Sequence, residues 1–260
     1  MPHGSVAVLA LPGMSLNGTI FPDFGLPTLV ARLSDVTAAG PGMRPYLEYL
    51  DQLTRAALWQ DAGARVVVGH SFGGMLALAW LLARPDQARA VHGLVLVSTA
   101  PGPMFAAVRL RVLRLAGWEL RVGVRPLLPF WNSGIVTRAM HRLMNRGHLA
   151  TRPVDFRALP RHDDVWVGIA GWRATPWAAR RAFRSAMEGF DVRHQLGTLG
   201  MPTIVLHGGE DCYFPLATAQ QLADGLGHAQ LRVVADAGHV LPLTHGEAVV
   251  EAVRELVGES

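Results

Sequence analysis

At 260 residues, 50% hydrophobic and 17% charged, the chain is long enough for one large domain with a substantial core, and its composition excludes a disordered or low-complexity protein. A single cysteine, Cys212, excludes an intrachain disulfide and points to a reducing compartment. The net charge of +4 is unevenly spread: residues 103–193 carry 16 of the 24 arginines and 6 of the 20 acids, a local balance of +10, and the rest of the chain stands at −6. There is no lysine, which suggests a coding bias rather than a function.

In chain order, Val6 to Leu11 reads as a buried strand followed by the turn Pro12-Gly13-Met14. Pro27 to Leu33 reads as a short second strand, and a polar, Gly-rich loop follows. Helical periodicity runs from about Pro45 to Trp59, Arg65 to Gly69 is a third strand, and Gly73 to Leu82 is a helix stopped by Pro85. Val91 to Ser98 is a fourth strand. Strands then stop, and residues 103 to about 190 read as mostly helical. Thr203 to Leu206 and Leu231 to Ala235 are further strands, with helices over Leu216 to Leu226 and residues 246–257. The alternation predicts an α/β fold with a mostly parallel, doubly wound sheet, a core of residues 1–102 and 194–260, and a helical cap inserted over 103–193. Such sheets bind ligands at the carboxyl ends of their strands. The N-terminus lacks the basic stretch of a signal peptide, so the cytoplasm is the expected location. No apolar run is long enough to span a membrane, and nothing resembles a nucleic-acid-reading module.

Gly69-His70-Ser71-Phe72-Gly73 places a serine between a strand and a helix, with a glycine two residues to either side. Taken alone, the frame also fits an ordinary Gly-rich turn. In this context it fits a nucleophile elbow, where Ser71 takes strained backbone angles and small neighbours let strand and helix approach closely. A serine hydroxyl needs a base, and the base an orienting acid. After the strand TIVL comes His207-Gly208-Gly209-Glu210-Asp211, and after LRVVA comes Asp236-Ala237-Gly238-His239. The order Ser71, Asp211, His239 suits this elbow type. Glu210 is the runner-up acid and Asp236 the third. His228 precedes its strand, His245 leads into the last helix, His70 adjoins the serine, and His207 is a supporting residue. The backbone N–H groups of Phe72 and Met14 are the candidate oxyanion donors. Cys212 reads as a small buried hydrophobe.

LPGMS at 11–15, GHSFGG at 69–74, HGGEDCYFP at 207–215 and AGHVLP at 237–242 together resemble the α/β-hydrolase family over essentially the whole chain. Its capped esterases, including the pimeloyl-carrier-protein methyl ester esterases, are similar in layout. The resemblance implies hydrolysis of a carboxylic ester or thioester through an acyl-enzyme, with no metal and no cofactor. Two departures stand out: Pro12 replaces the histidine that braces the family's oxyanion loop, and the sheet lacks the family's first two strands. An alternative on the same fold is a biosynthetic lyase, cyclase or C–C bond hydrolase with His239 as base. A non-catalytic receptor on this fold would typically lose a triad member.

The inserted segment is rich in large apolar residues, of which Trp131, Met140, Met144 and Trp172 are candidate pocket residues; much of this set must be the segment's own packing. Its arginine clusters, such as Arg138/Arg142 and Arg180/Arg181/Arg184, read most simply as a solvated surface. The other reading is a positive face that steers an acidic carrier protein, a carboxylate-bearing substrate or an anionic membrane surface.

Overall fold

In the computed structural model, which describes residues 5–36, 42–103, 154–160 and 162–258 together with the backbone of 114–115 and 118–119, the strands are β1 (Val6–Leu11), β2 (Thr28–Val30), β3 (Ala64–His70), β4 (Gly93–Val97), β5 (Arg114–Leu115), β6 (Trp118–Glu119), β7 (Thr203–Gly208) and β8 (Ala229–Val234). Six of them form one sheet in the order β2-β1-β3-β4-β7-β8, and every pairing in it is parallel. β4 and β7 are neighbours although more than a hundred residues separate them, so the intervening segment leaves the sheet and returns to it.

The central strands are apolar without alternation because both faces are covered. All five residues of β4 and all six of β7 are buried. Within β1, Ala7, Leu9 and Leu11 join one core cluster, while Val8 and Ala10 join the other, as a period of two requires.

The α-helices among the described residues are α1 (Arg44–Leu53), α2 (Ala57–Gln60), α3 (Phe72–Ala83), α4 (Pro85–Ala90), α5 (Asp164–Ala174), α6 (Trp177–Met187), α7 (Leu216–Leu226), α8 (Leu241–Thr244) and α9 (Gly246–Val257). On one face of the sheet α3, with Met75, Trp80 and Leu81 inside, packs with Tyr46 and Leu50 of α1, Phe183 of α6 and Leu222 of α7. On the other, Val249 and Val253 of α9 pack with Phe21, Phe24 and Phe156. α7 and α9 both end on a left-handed glycine, Gly227 and Gly258.

Four expectations shift. The helix expected from Pro45 to Trp59 is two, α1 and α2, because Ala56 between them is extended and Thr54 bonds its hydroxyl back to the Leu50 carbonyl. The second strand is shorter than Pro27 to Leu33: after Val30 the chain leaves the sheet and makes a 3₁₀ turn over Leu33–Asp35. The last strand begins earlier, at Ala229, because pairing with Thr203 starts there. Strands also do not stop after β4: β5 and β6 form an antiparallel hairpin within the segment expected to be helical. Two residues on each side are too few for a periodic signal. Among the described residues no helix is long and apolar enough to cross a membrane.

Candidate active site

Ser71 stands between β3 and α3 with φ 51° and ψ −118°, a left-handed φ that is costly for a residue with a Cβ. The surroundings hold it there. Its N–H donates to the Val97 carbonyl at 2.9 Å, and its own carbonyl accepts from the Thr99 hydroxyl at 2.7 Å. A Cβ on Gly69 would lie 2.6 Å from the Gly74 Cα, so only glycine lets the strand and helix meet this closely.

The other two predicted residues arrive from β7 and β8. His239 Nε2 lies 3.0 Å from Ser71 Oγ, and His239 Nδ1 lies 2.9 Å from Asp211 Oδ2. These partners assign the tautomer: Nδ1–H donates to the carboxylate, leaving Nε2 to accept the serine proton. The Asp211 side chain is fully buried. Burial pushes its pKa up, but the His239 hydrogen bond and charge, with the N–H groups of Phe214 (2.9 Å) and Tyr213 (2.8 Å), outweigh that and hold the carboxyl below its usual range.

The rivals are placed elsewhere. Glu210 is exposed, and the exposed Asp236 faces His245 at 3.4 Å. His228 precedes β8, at the other end of the strand from His239. His207 is buried with Nε2 3.2 Å from the Phe214 carbonyl, and so braces the turn that carries Asp211. Cys212 departs from expectation: the residue is exposed, and its thiol donates to Asp164 Oδ2 at 3.5 Å. Partial burial of the thiol and the nearby carboxylates of Asp164 and Asp211 push it up to about 12, so it carries no thiolate at neutral pH.

The candidate oxyanion donors lie on two touching segments. Phe72 N–H is the first amide of α3, ahead of the intrahelical ladder. Met14 is half-buried in the turn closed by Leu16 N–H to the Gly13 carbonyl, 3.1 Å. The left-handed residue of that turn is Ser15, φ 66°, rather than Gly13. Gly13 serves close approach instead: a Cβ there would lie 3.0 Å from the His70 ring.

Two residues that the motifs did not single out complete the arrangement. His70 is fully buried; its Nε2 donates to the His239 carbonyl at 2.9 Å, and the two rings stand 5.0 Å apart. It thereby braces the His239 loop against the end of β3. Burial, with His239 nearby, lowers its pKa to about 3, so it stays neutral. Asp164, at the start of α5, accepts from the N–H of His239 (2.9 Å) and of Val240 (3.0 Å). In sequence its pair with Asp163 reads only as a helix start, and Asp163 does cap α5, accepting from Trp166 N–H.

Of the candidate pocket residues, Trp172 is half-buried on α5. Trp131, Met140, Met144 and the pair Arg138/Arg142 lie outside the described residues. A surface cavity of about 470 Å³ lined by Leu81, Pro85, His92 and Met201 sits at the opposite, N-terminal ends of β4 and β7. No group of three His, Cys, Asp or Glu among the described residues is arranged to hold a metal ion.

Comparison with known proteins places this geometry. Residues 2–252 match the Alpha/beta hydrolase family. Over 97% of its length the chain is 30% identical to the polyketide synthase ThaQ of Burkholderia thailandensis, of which it spans only 12%. It is 28% identical to the pimeloyl-[acyl-carrier protein] methyl ester esterase of Neisseria meningitidis, covering 99% of this chain and 95% of that one. The solved structure of Est816, described as an N-acyl homoserine lactone degrading enzyme, superposes with a TM-score of 0.65 at 21% identity, over 96% of this chain and 93% of that one. With a parallel sheet of this order and a match across nearly all of its length, the chain belongs to the alpha/beta hydrolase family.

Proposed function

We propose that the protein is a serine hydrolase that cleaves a carboxylic ester or thioester through an acyl-enzyme. The observation that carries the reading is the continuous pair of hydrogen bonds from Ser71 Oγ to His239 Nε2 and from His239 Nδ1 to Asp211. In this reading His239 takes the Ser71 proton as Oγ attacks the acyl carbon, and Asp211 stabilises the imidazolium that forms. The N–H groups of Phe72 and Met14 meet the developing oxyanion, an interaction worth about 3–4 kcal/mol per donor. His239 returns the proton to the leaving group, then activates the water that releases the acid. In this reading the described helices α5 and α6 of the inserted segment contribute to a cap over this centre; residues 104–153 of that expected cap lie outside the described residues, apart from β5 and β6. The likeness to the Neisseria pimeloyl-[acyl-carrier protein] methyl ester esterase supports an acyl substrate.

A fluorophosphonate probe tests the nucleophile by intact mass. Wild type should gain one adduct that Ser71→Ala does not, and Ser71→Ala should lose about 10⁴-fold or more in kcat. Near-normal turnover by the variant would replace the acyl-enzyme with a reaction in which His239 acts alone as base.

A further inference from the structure

Helix α6 turns one of its arginines inward. Arg180 is 4% exposed, whereas Arg181 and Arg184 on the same helix face solvent. The Arg180 guanidinium lies 4.2 Å above the Trp172 ring, and Nη2 donates to the Trp172 carbonyl. Among the described residues its buried Nε and Nη1 have no acceptor, and nor has Trp172 Nε1. Among the described residues no carboxylate pairs with it. Burial lowers its pKa to about 10, which leaves it charged at neutral pH. A buried cation with two unsatisfied N–H groups is an unfavourable state unless a partner arrives.

Two contacts locate this pair. Phe183, one turn along α6 from Arg180, packs edge-on against Phe72, the residue after Ser71, with ring centroids 5.1 Å apart. On the other side a Cβ on Gly171 would run into the Ser15 carbonyl, so α5 rests on the turn after β1 with Trp172 as its next residue. Ser15 Oγ is itself buried and has no partner among the described residues. Arg180 and Trp172 are thus tied to both segments that carry the candidate oxyanion donors.

We propose that Arg180, assisted by Trp172 Nε1, receives a substrate carboxylate beside Ser71, so that the preferred substrate is an ester or thioester that also bears a free carboxylate. The Nε–H and Nη1–H groups leave different edges of the planar guanidinium, and each offers a carboxylate oxygen a charge-assisted hydrogen bond. The ester bond to be cleaved stays neutral, and the second carboxyl group gives the affinity. The inference rests on the serine-hydrolase reading for what is cleaved, but the anion site can be measured without turnover.

The test pairs kinetics with ligand stabilisation at pH 7. Wild type should cleave monomethyl glutarate at least tenfold better in kcat/KM than dimethyl glutarate, mainly through KM. Arg180→Met should cut that ratio tenfold or more, and Arg180→Lys should give an intermediate ratio. A hydroxy-acid ester carrying its carboxylate on the alcohol side tells which half of the substrate is held: preference for the monoester assigns the acyl half, and preference for the hydroxy-acid ester the leaving half. Free glutarate should raise the Tm of wild type, glutaramide should not, and Arg180→Lys should weaken the shift. No glutarate-specific shift in wild type, or an unchanged ester ratio in Arg180→Met, overturns the anion site. Absent fluorophosphonate labelling alongside a normal glutarate shift would instead overturn the hydrolytic reading and keep the anion site.

Discussion

Ser71, Asp211 and His239 stand on turns that leave β3, β7 and β8, whereas Asp164, Trp172 and Arg180 stand on two helices of the segment between β4 and β7. The turns inherit their geometry from a ladder of parallel pairs: β4 and β7 are buried end to end, and register runs unbroken from Leu94↔Thr203 to Val97↔Leu206. The helices have no such frame. α5 buries fully only Val167 and Gly171 and leaves Val165, Trp166 and Ile169 exposed. Its position relative to the triad rests on a few long-range contacts, chief among them Asp164 on the His239 loop and Gly171 on Ser15. In the proposed reading, the difference teaches that the sheet supplies the reacting groups, while the helices supply adjustable constraints upon them. Substitutions in the first set should strike chemistry, and those in the second should strike placement.

The largest effect expected on this division, beyond Ser71 itself, is at Asp211. Asp211→Asn should lower kcat by about 10³–10⁴-fold with little change in KM, because the amide no longer stabilises the imidazolium and favours the wrong tautomer. Glu210→Gln should stay close to wild type in a steady-state assay. A reversal of these two results would move the acid by one residue.

Asp164→Asn probes the other region. Asn keeps one acceptor oxygen for the two amides of His239 and Val240 and turns an NH₂ toward the second. The expected outcome is a loss of about tenfold in kcat from the disturbed His239 geometry, and a stability loss of about 1–3 kcal/mol in denaturant unfolding. A kcat loss as large as that of Asp211→Asn would break the comparison, since Asp164 would then belong with the chemistry. An unchanged kcat would mean that the helix merely rests on the loop.

His70 lies at the seam of the two regions and predicts a pH dependence of stability. Its folded pKa is about 3, against about 6.5 for an unfolded histidine, so below pH 6.5 the unfolded chain binds a proton that the folded one refuses. Stability from this residue is therefore complete above pH 6.5 and declines as pH falls toward 3. Between pH 7 and pH 5 the decline is about 2 kcal/mol. His70→Gln retains a donor for the His239 carbonyl and removes the titration, so the difference in unfolding free energy between pH 7 and pH 5 should shrink by that amount. An unchanged difference would show that His70 is not kept neutral.

The smallest effect belongs to Cys212. Cys212 is an exposed residue whose partly buried thiol is protonated at neutral pH and, among the described residues, bonded only to Asp164 Oδ2, so Cys212→Ser should change stability by less than about 0.5 kcal/mol and leave ester turnover intact. Loss of activity on thiol alkylation, with Cys212→Ser resistant, would mean that bulk at this position disturbs the Asp164 contact.

Ser71, Asp211 and His239 were legible in the amino-acid order because each depends on what lies within a few residues of it. A run of β-branched residues ends, glycines permit a tight turn, and a reactive side chain follows at the strand's carboxyl end. Such patterns are local, and backbone sterics alone give them meaning. Asp164, His70 and Arg180 carry no comparable signal. Asp163-Asp164 looks like an ordinary helix start, His70 like a neighbour of the serine, and Arg180 like one charge in an arginine-rich face. Their partners, His239 for Asp164 and His70 and Trp172 for Arg180, are from 8 to 169 residues distant, and a side chain's environment across such a gap depends on how the elements pack. Sequence periodicity therefore determined the parallel α/β sheet and the three turns that meet at its edge. Only the tertiary structure decided which acid holds the histidine loop, which histidine stays neutral and which arginine is inside, because burial and hydrogen-bond partnership are properties of the packed chain and not of any segment of it.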